Sequence, residues 1–230
     1  METATIIHGK KELPSLTVLK ALLTCGILYP LLYIFADILG TLIYEGYDYT
    51  SQNISEILAI GSPARHVVLP LFNFSDLLLL AFAIGVFESA GQKRMLKIAA
   101  VLLAFCAITG ALTSLFFPMN LRDAPKTYSD TMHIILTSIL VLIILGSIGT
   151  GASALGKQFR WYSIITIAVL FTFGALTGMQ GPRIGTGAPT PWMGITERVN
   201  IYGYVIWVLV FAVNLLRNEN EKREEIKLNL

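Results

Sequence analysis

Six long apolar runs divide the 230 residues, and almost every charge lies between them. Each run is about 18–25 residues, the length of α-helix needed to cross a hydrocarbon core of roughly 30 Å. A backbone in hydrocarbon must satisfy its own N–H and C=O groups, so each run is expected to be a helix. Strands of a membrane barrel would be half as long and would alternate in polarity, which these runs do not. The fold class read from the chain is all-α: an integral membrane six-helix bundle, multi-pass in the cell membrane.

The spans are placed near Val18–Tyr44, Val67–Phe87, Ile98–Phe117, Thr131–Leu155, Trp161–Met179 and Val199–Leu216. Only 14% of residues are charged and 54% are hydrophobic, whereas a soluble chain carries about 25% charged residues. A net charge of +2 gives no reason to expect nucleic acid as a partner. Cys25 and Cys106 both fall inside apolar runs and read as small buried hydrophobes. The first run is too long for a signal-peptide core and no small-residue cleavage site follows it, so it is expected to stay in the mature protein.

Basic residues set the expected orientation. With an even number of spans both termini share a side, and that side holds Lys10, Lys11, Lys20, Lys93, Arg94, Lys97, Lys157, Arg160, Arg217, Lys222, Arg223 and Lys227. The other side holds Arg65, Arg122, Lys126, Arg183 and Arg198. The bias puts both termini in the cytoplasm. Residues 1–17 then form a cytoplasmic N-terminal segment, 18–216 the six-helix domain and 217–230 a charged cytoplasmic tail. The sequence specifies no oligomeric state.

The connections differ between the two sides. Glu88–Lys97 and Gly156–Arg160 are short; Glu45–His66, Pro118–Asp130 and Gln180–Arg198 are longer and polar. Long shaped loops held by a rigid bundle are the usual home of function, so the site is expected on the outer side. Gly178–Pro189 holds four glycines and two prolines. It is either a simple connection that needs turns or a loop that brings backbone N–H groups to an anion such as a lipid phosphate.

Titratable residues gather on the same side. His66 stands at the mouth of the second span, and Asp130 and His133 share one face at the start of the fourth. Glu56, Glu197 and Arg198 lie at comparable depth. His66, His133 and Asp130 are candidate zinc ligands, although no H-E-x-x-H motif is present and no cofactor is firmly implied. The other reading is an interfacial histidine satisfied by a backbone carbonyl or water, with Asp130 favouring a helix start. Asp37 and Asp76 are the only acids inside apolar spans, roughly 10 Å and about 15 Å deep by helical rise. Asn73 shares a face with Asp76. A charge near the bilayer centre costs at least ~2.5 kcal/mol, so such acids face a cavity or a partner, or else a protonated Asp76 serves as hydrogen-bonded packing.

The order of the outer motifs resembles a known family. Tyr49 through Pro63 carries Ile-Ser-Glu-Ile and Gly-Ser-Pro; Phe117-Pro118 ends the third span; His133 opens the fourth; Glu197-Arg198 precede Trp207 in the last. This pattern resembles the prokaryotic membrane family called domain of unknown function 998, and is distantly similar to the Frag/DRAM/Sfk group of six-helix proteins. The resemblance implies a six-helix fold and, through eukaryotic relatives linked to membrane-lipid handling, points to Ser55, Glu56, His133, Glu197 and Arg198.

Three function classes fit these residues. The first is a protein that binds or handles lipid through an outward-facing polar cavity, with membrane lipid as partner and Arg183 or Arg198 on a headgroup phosphate. In the second, a membrane hydrolase, His66 and His133 bind zinc or act as base, Glu56 or Glu197 assist, and Ser55 is a further candidate. The third is a small proton-coupled transporter or sensor using Asp37 and Asp76.

Overall fold

The computed structural model describes residues 16–122, 124–184, 186 and 188–228. The expected N-terminal segment 1–17 thus lies, except for Leu16 and Thr17, outside the described residues, as do Gly185 and Gly187 of the glycine-rich loop. Among the described residues seven α-helices follow one another: α1 Leu16–Ile43, α2 Ile54–Ile57, α3 Arg65–Ser89, α4 Arg94–Phe116, α5 Tyr128–Ala154, α6 Lys157–Gln180 and α7 Met193–Leu228. A single 3₁₀ turn, Gly181–Arg183, continues α6. All but α2 are long and apolar enough to cross a membrane. The chain is a multi-pass membrane protein of the all-α class.

The helix ends follow local chemistry. Phe117-Pro118 stops α4, since proline offers no N–H and restricts the residue before it. Thr127 caps α5 and Asp130 completes a reciprocal capping box. α7 departs most from the sequence expectation. It starts six residues earlier than Val199, so Glu197 and Arg198 stand inside its first two turns and not in a loop. Past Leu216 it continues to Leu228 as the helical extension that the mixed charges of the tail allow, about 54 Å of helix in all at 1.5 Å per residue. That exceeds the hydrocarbon thickness, and the charged tail is the surplus.

The six long helices pack as a ring in chain order, α1–α3–α4–α5–α6–α7, closed by α7 against α1. Consecutive spans are neighbours whether the connection between them is short or long. α5 and α6 touch each other least. The core is aromatic: Trp207 stacks with Phe211 and Tyr204, and Phe159 lies against both Trp207 and Phe211. Trp207 donates its indole N–H to Ser163 Oγ at 2.9 Å. Gly151 makes room for that indole, because a Cβ there would lie 2.9 Å from Cη2. Outside the ring, Leu31, Phe35, Leu77, Leu142, Ile165 and Phe171 are exposed, an apolar surface that only a hydrocarbon surround makes favourable.

Candidate functional site

Among the described residues, the connections at one end of the bundle are the short turns Ala90–Lys93 and Leu155-Gly156, beside the start of α1 and the far end of α7. The other carries three long connections, and these are hydrogen-bonded to one another. Gly194 N donates to Thr50 O at 2.9 Å and Ile60 N to Met119 O at 2.8 Å. The first connection is organised by two short motifs. Asp48 accepts from Thr50 N, Thr50 Oγ1 and Ser51 Oγ, and these bonds hold its carboxyl down at about 2. Asn53 and Glu56 form a capping box that creates the single-turn helix α2.

Arg198 is the hub that ties this loop to the bundle. Its Nε and Nη2 grip the two oxygens of Asp37, each at 2.9 Å, and both side chains are fully buried. Nη2 also donates to Tyr47 Oη at 2.8 Å. Nη1 donates to the carbonyls of Tyr49, Gln52 and Gly194 at 3.0–3.2 Å. The Tyr49 ring lies 3.8 Å from the guanidinium carbon, a cation–π contact. Tyr202 Oη donates to Asp37 at 2.5 Å. All five guanidinium N–H groups are therefore used inside the protein. Gly194 is required for this arrangement, since a Cβ would run into the Tyr49 and Gln52 carbonyls that Arg198 holds. Tyr47 passes its own proton on to the Gln52 and Asn53 carbonyls, and burial pushes its phenol up, keeping it a neutral donor.

A second ion pair joins the first and second connections. Arg122 Nε and Nη2 bind the two oxygens of Glu56, which is 2% exposed. Nη2 also donates to Ser51 O at 2.6 Å, and Nη1 to Thr190 Oγ1 at 2.7 Å. The Glu56 carboxylate, by its hydrogen bond, holds the Arg122 guanidinium still more firmly protonated. Four of the five N–H groups are used, leaving one on Nη1. Beside it opens a cleft of about 430 Å³ lined by Asp48, Thr50, Ser51, Arg122, Thr190 and Trp192, with two prolines. Trp192 is 65% exposed and is the one non-glycine residue with positive φ, at 69°, among the described residues. A bulky residue in that region is uncommon and marks strain held by its surroundings.

The remaining candidates separate clearly. His133 Nδ1 lies 2.8 Å from Phe117 O, and its Nε2 lies 3.1 Å from Ser55 Oγ. Asp130 is occupied by four donors, the N–H groups of Asn120 and Thr127 and both of their side chains, at 2.8–2.9 Å. Glu197 accepts from Ile54 N at 2.6 Å and so pins α2 to α7. Asn73 donates to Leu69 O and accepts from Ser114. Asp76 lies flat over Gly110 of α4, and the described residues supply it no hydrogen bond. His66 is exposed. Arg183 is exposed and has only a long contact to Pro189 O, 3.4 Å.

This geometry bears on two sets of candidates. All five N–H groups of Arg198 and both oxygens of Asp37 are engaged inside the protein. His66, His133 and Asp130 do not assemble as metal ligands: Asp130 is filled by its cap, both His133 nitrogens are engaged, and no group of three or more His, Cys, Asp or Glu side chains comes together among the described residues. Arg122, Thr190 and Tyr47 are the residues that sequence reasoning missed as part of the site. The Asn53-x-x-Glu56 spacing is a capping signature that could have revealed α2. Nothing in the sequence pairs Arg122 with a carboxylate 66 residues away.

Comparison with curated proteins found no match, and comparison with solved structures found none. Residues 27–214 match a family described as a protein of unknown function, DUF998. That stretch takes in four whole spans, α1 from Ile27 onward, α7 as far as Asn214 and every motif of the loop-rich end, so the chain belongs to the DUF998 family.

Proposed function

We propose that the protein binds the headgroup of a membrane lipid in the cleft between its first and third long connections, with the loop-rich end facing out of the cell membrane. The observation that carries this reading is the lining of that cleft: one cation with an N–H to spare, one exposed carboxylate and one exposed indole. A zwitterionic headgroup matches it. The phosphate takes the remaining Arg122 N–H, a charge-assisted bond. The ammonium group lies against Trp192 and near Asp48. The cleft volume falls in the range of small-ligand sites. Trp192 stands where an amphipathic ring prefers to be, at the membrane boundary. The bias of basic residues toward the opposite end supports the orientation.

Native mass spectrometry of the protein released from nanodiscs tests this. Retained phosphatidylcholine or phosphatidylethanolamine is expected in preference to phosphatidylglycerol. Asp48→Asn and Trp192→Ala should each weaken that retention about 3- to 30-fold, the equivalent of a cation–π or ion contact of about 0.6–2 kcal/mol. Equal retention of all three lipids, or of the same lipid by both variants, would overturn it.

A further inference from the structure

Ser55 and His133 are held in a relation that packing alone does not require. Phe117 O can only accept, so Nδ1 of His133 is the protonated nitrogen, and in the neutral ring Nε2 is left as an acceptor. Ser55 Oγ–H, 3.1 Å away, is its donor. This is the tautomer a general base needs. A hydroxyl hydrogen-bonded to a base, with that base oriented by a third group, is the arrangement that activates a serine. Here the third group is a backbone carbonyl fixed at the end of α4 by Pro118. Both side chains are half-buried, not sealed. Asp130, one turn back on the same helix, sets a negative charge near the ring. Arg65 donates to Leu58 O, three residues past Ser55, and to Ser114 O, three residues before Phe117, and so ties the loop that carries Ser55 to the end of α4 that orients His133.

The location selects a substrate class. His133 is five residues into α5, about 7–8 Å along the axis from its start. Phe116, Tyr128 and Ile134 around it are 54–73% exposed, and Phe117 meets Tyr128 edge-on at 6.4 Å. The dyad therefore lies beside the apolar surface, one to two turns in from the start of α5, a depth that suits the acyl esters of glycerolipids.

We propose that Ser55 is a nucleophile for acyl esters of membrane lipids, with His133 as its general base. Ser55 Oγ bonds to the ester carbonyl carbon and its proton passes to His133 Nε2. The bond from that carbon to the leaving alkoxide breaks, and Nε2 returns the proton to the alcohol. The acyl-Ser55 ester is then cleaved by water or by another lipid hydroxyl, whose proton travels through Nε2 back to Ser55 Oγ. No electrons are exchanged with any other group. The proposal rests on the dyad and on the membrane setting, not on the headgroup cleft.

The test uses the full-length protein in phosphatidylcholine nanodiscs with a fluorophosphonate probe, peptide mapping and measurement of released fatty acid. An adduct on Ser55 and release of fatty acid, or its transfer to an added lipid alcohol, are expected. Ser55→Ala should lose both. His133→Asn, which keeps a donor for Phe117 O and removes the base, should slow both by about 10²-fold or more. A folded wild-type protein that forms no Ser55 adduct overturns the proposal, as does an adduct without acyl release or transfer, or unchanged labelling in His133→Asn. Should Ser55→Ala fail to fold, mapping of the wild-type adduct decides alone. Lipid retention through the cleft is unaffected by Ser55→Ala, so the two readings fail separately.

Discussion

Replacing Asp37 by Asn strikes the hub of the loop-rich end. The substitution keeps the shape and one carbonyl oxygen but removes the charge that balances Arg198. Arg198 is 2% exposed and spends three of its six hydrogen-bond contacts on backbone carbonyls, so it cannot turn to solvent. An uncompensated buried charge costs about 3–5 kcal/mol. For a chain of this size each kcal/mol lowers Tm by about 2–4 °C, so the expected drop is about 6–20 °C. The comparison is Lys222→Ala, which breaks the i,i+3 pair with Glu219 where the lysine is 55% exposed; that pair is worth under about 1 kcal/mol. Thermal unfolding in detergent, followed by size-exclusion recovery, reads both. A double variant, Asp37→Leu with Arg198→Met, removes both charges and should cost less than the sum of the singles, although it strands the carbonyls of Tyr49, Gln52 and Gly194. Asp37→Asn within 1 kcal/mol of wild type, or strictly additive singles, would refute the buried-pair reasoning.

Four further outcomes follow from the same geometry. Arg122→Met leaves Glu56 buried without its partner; because Arg122 is one-quarter exposed, the expected loss is about 1–3 kcal/mol in the same unfolding assay. Trp192→Gly removes the positive-φ strain and an indole that buries little, so stability should hold or rise by up to about 1 kcal/mol while lipid retention falls. Gly151→Val drives a side chain into the Trp207 ring and should cost about 1–3 kcal/mol, with a shift in tryptophan emission. The folded-state value of Asp48, about 2, lies below the unfolded value of about 3.9. Its contribution is present above pH 4 and is lost as the pH falls toward 2. The Tm gap between wild type and Asp48→Asn should accordingly close over that interval.

The six crossings were legible because length and polarity alone specify them in hydrocarbon. The start of α7 was not, because Glu197 and Arg198 look like loop residues until their partners are known. Arg198 serves Asp37, 161 residues away, and that pairing makes a charge tolerable inside a span. Asp37 and Asp76 are both acids inside apolar spans in need of a cavity or a partner, yet one is gripped by an arginine and a tyrosine while the other rests on a glycine. Only the packing of α1 against α7 and of α3 against α4 separates them. His133 illustrates both sides. Its place at the mouth of the fourth span marked it as a candidate, and its carbonyl partner was among the readings. The Ser55 hydroxyl at Nε2 depends on α2, a helix of four residues whose capping spacing went unread.

The proposed headgroup site stands on two internal ion pairs at the loop-rich end. A cryo-electron microscopy map of the protein in phosphatidylcholine nanodiscs decides whether it exists. Density for a headgroup is expected in the cleft, its phosphate against Arg122 and its ammonium against Trp192, with Arg198 still on Asp37. A cleft filled by protein, or lipid ordered only along α5 and α6, would contradict it.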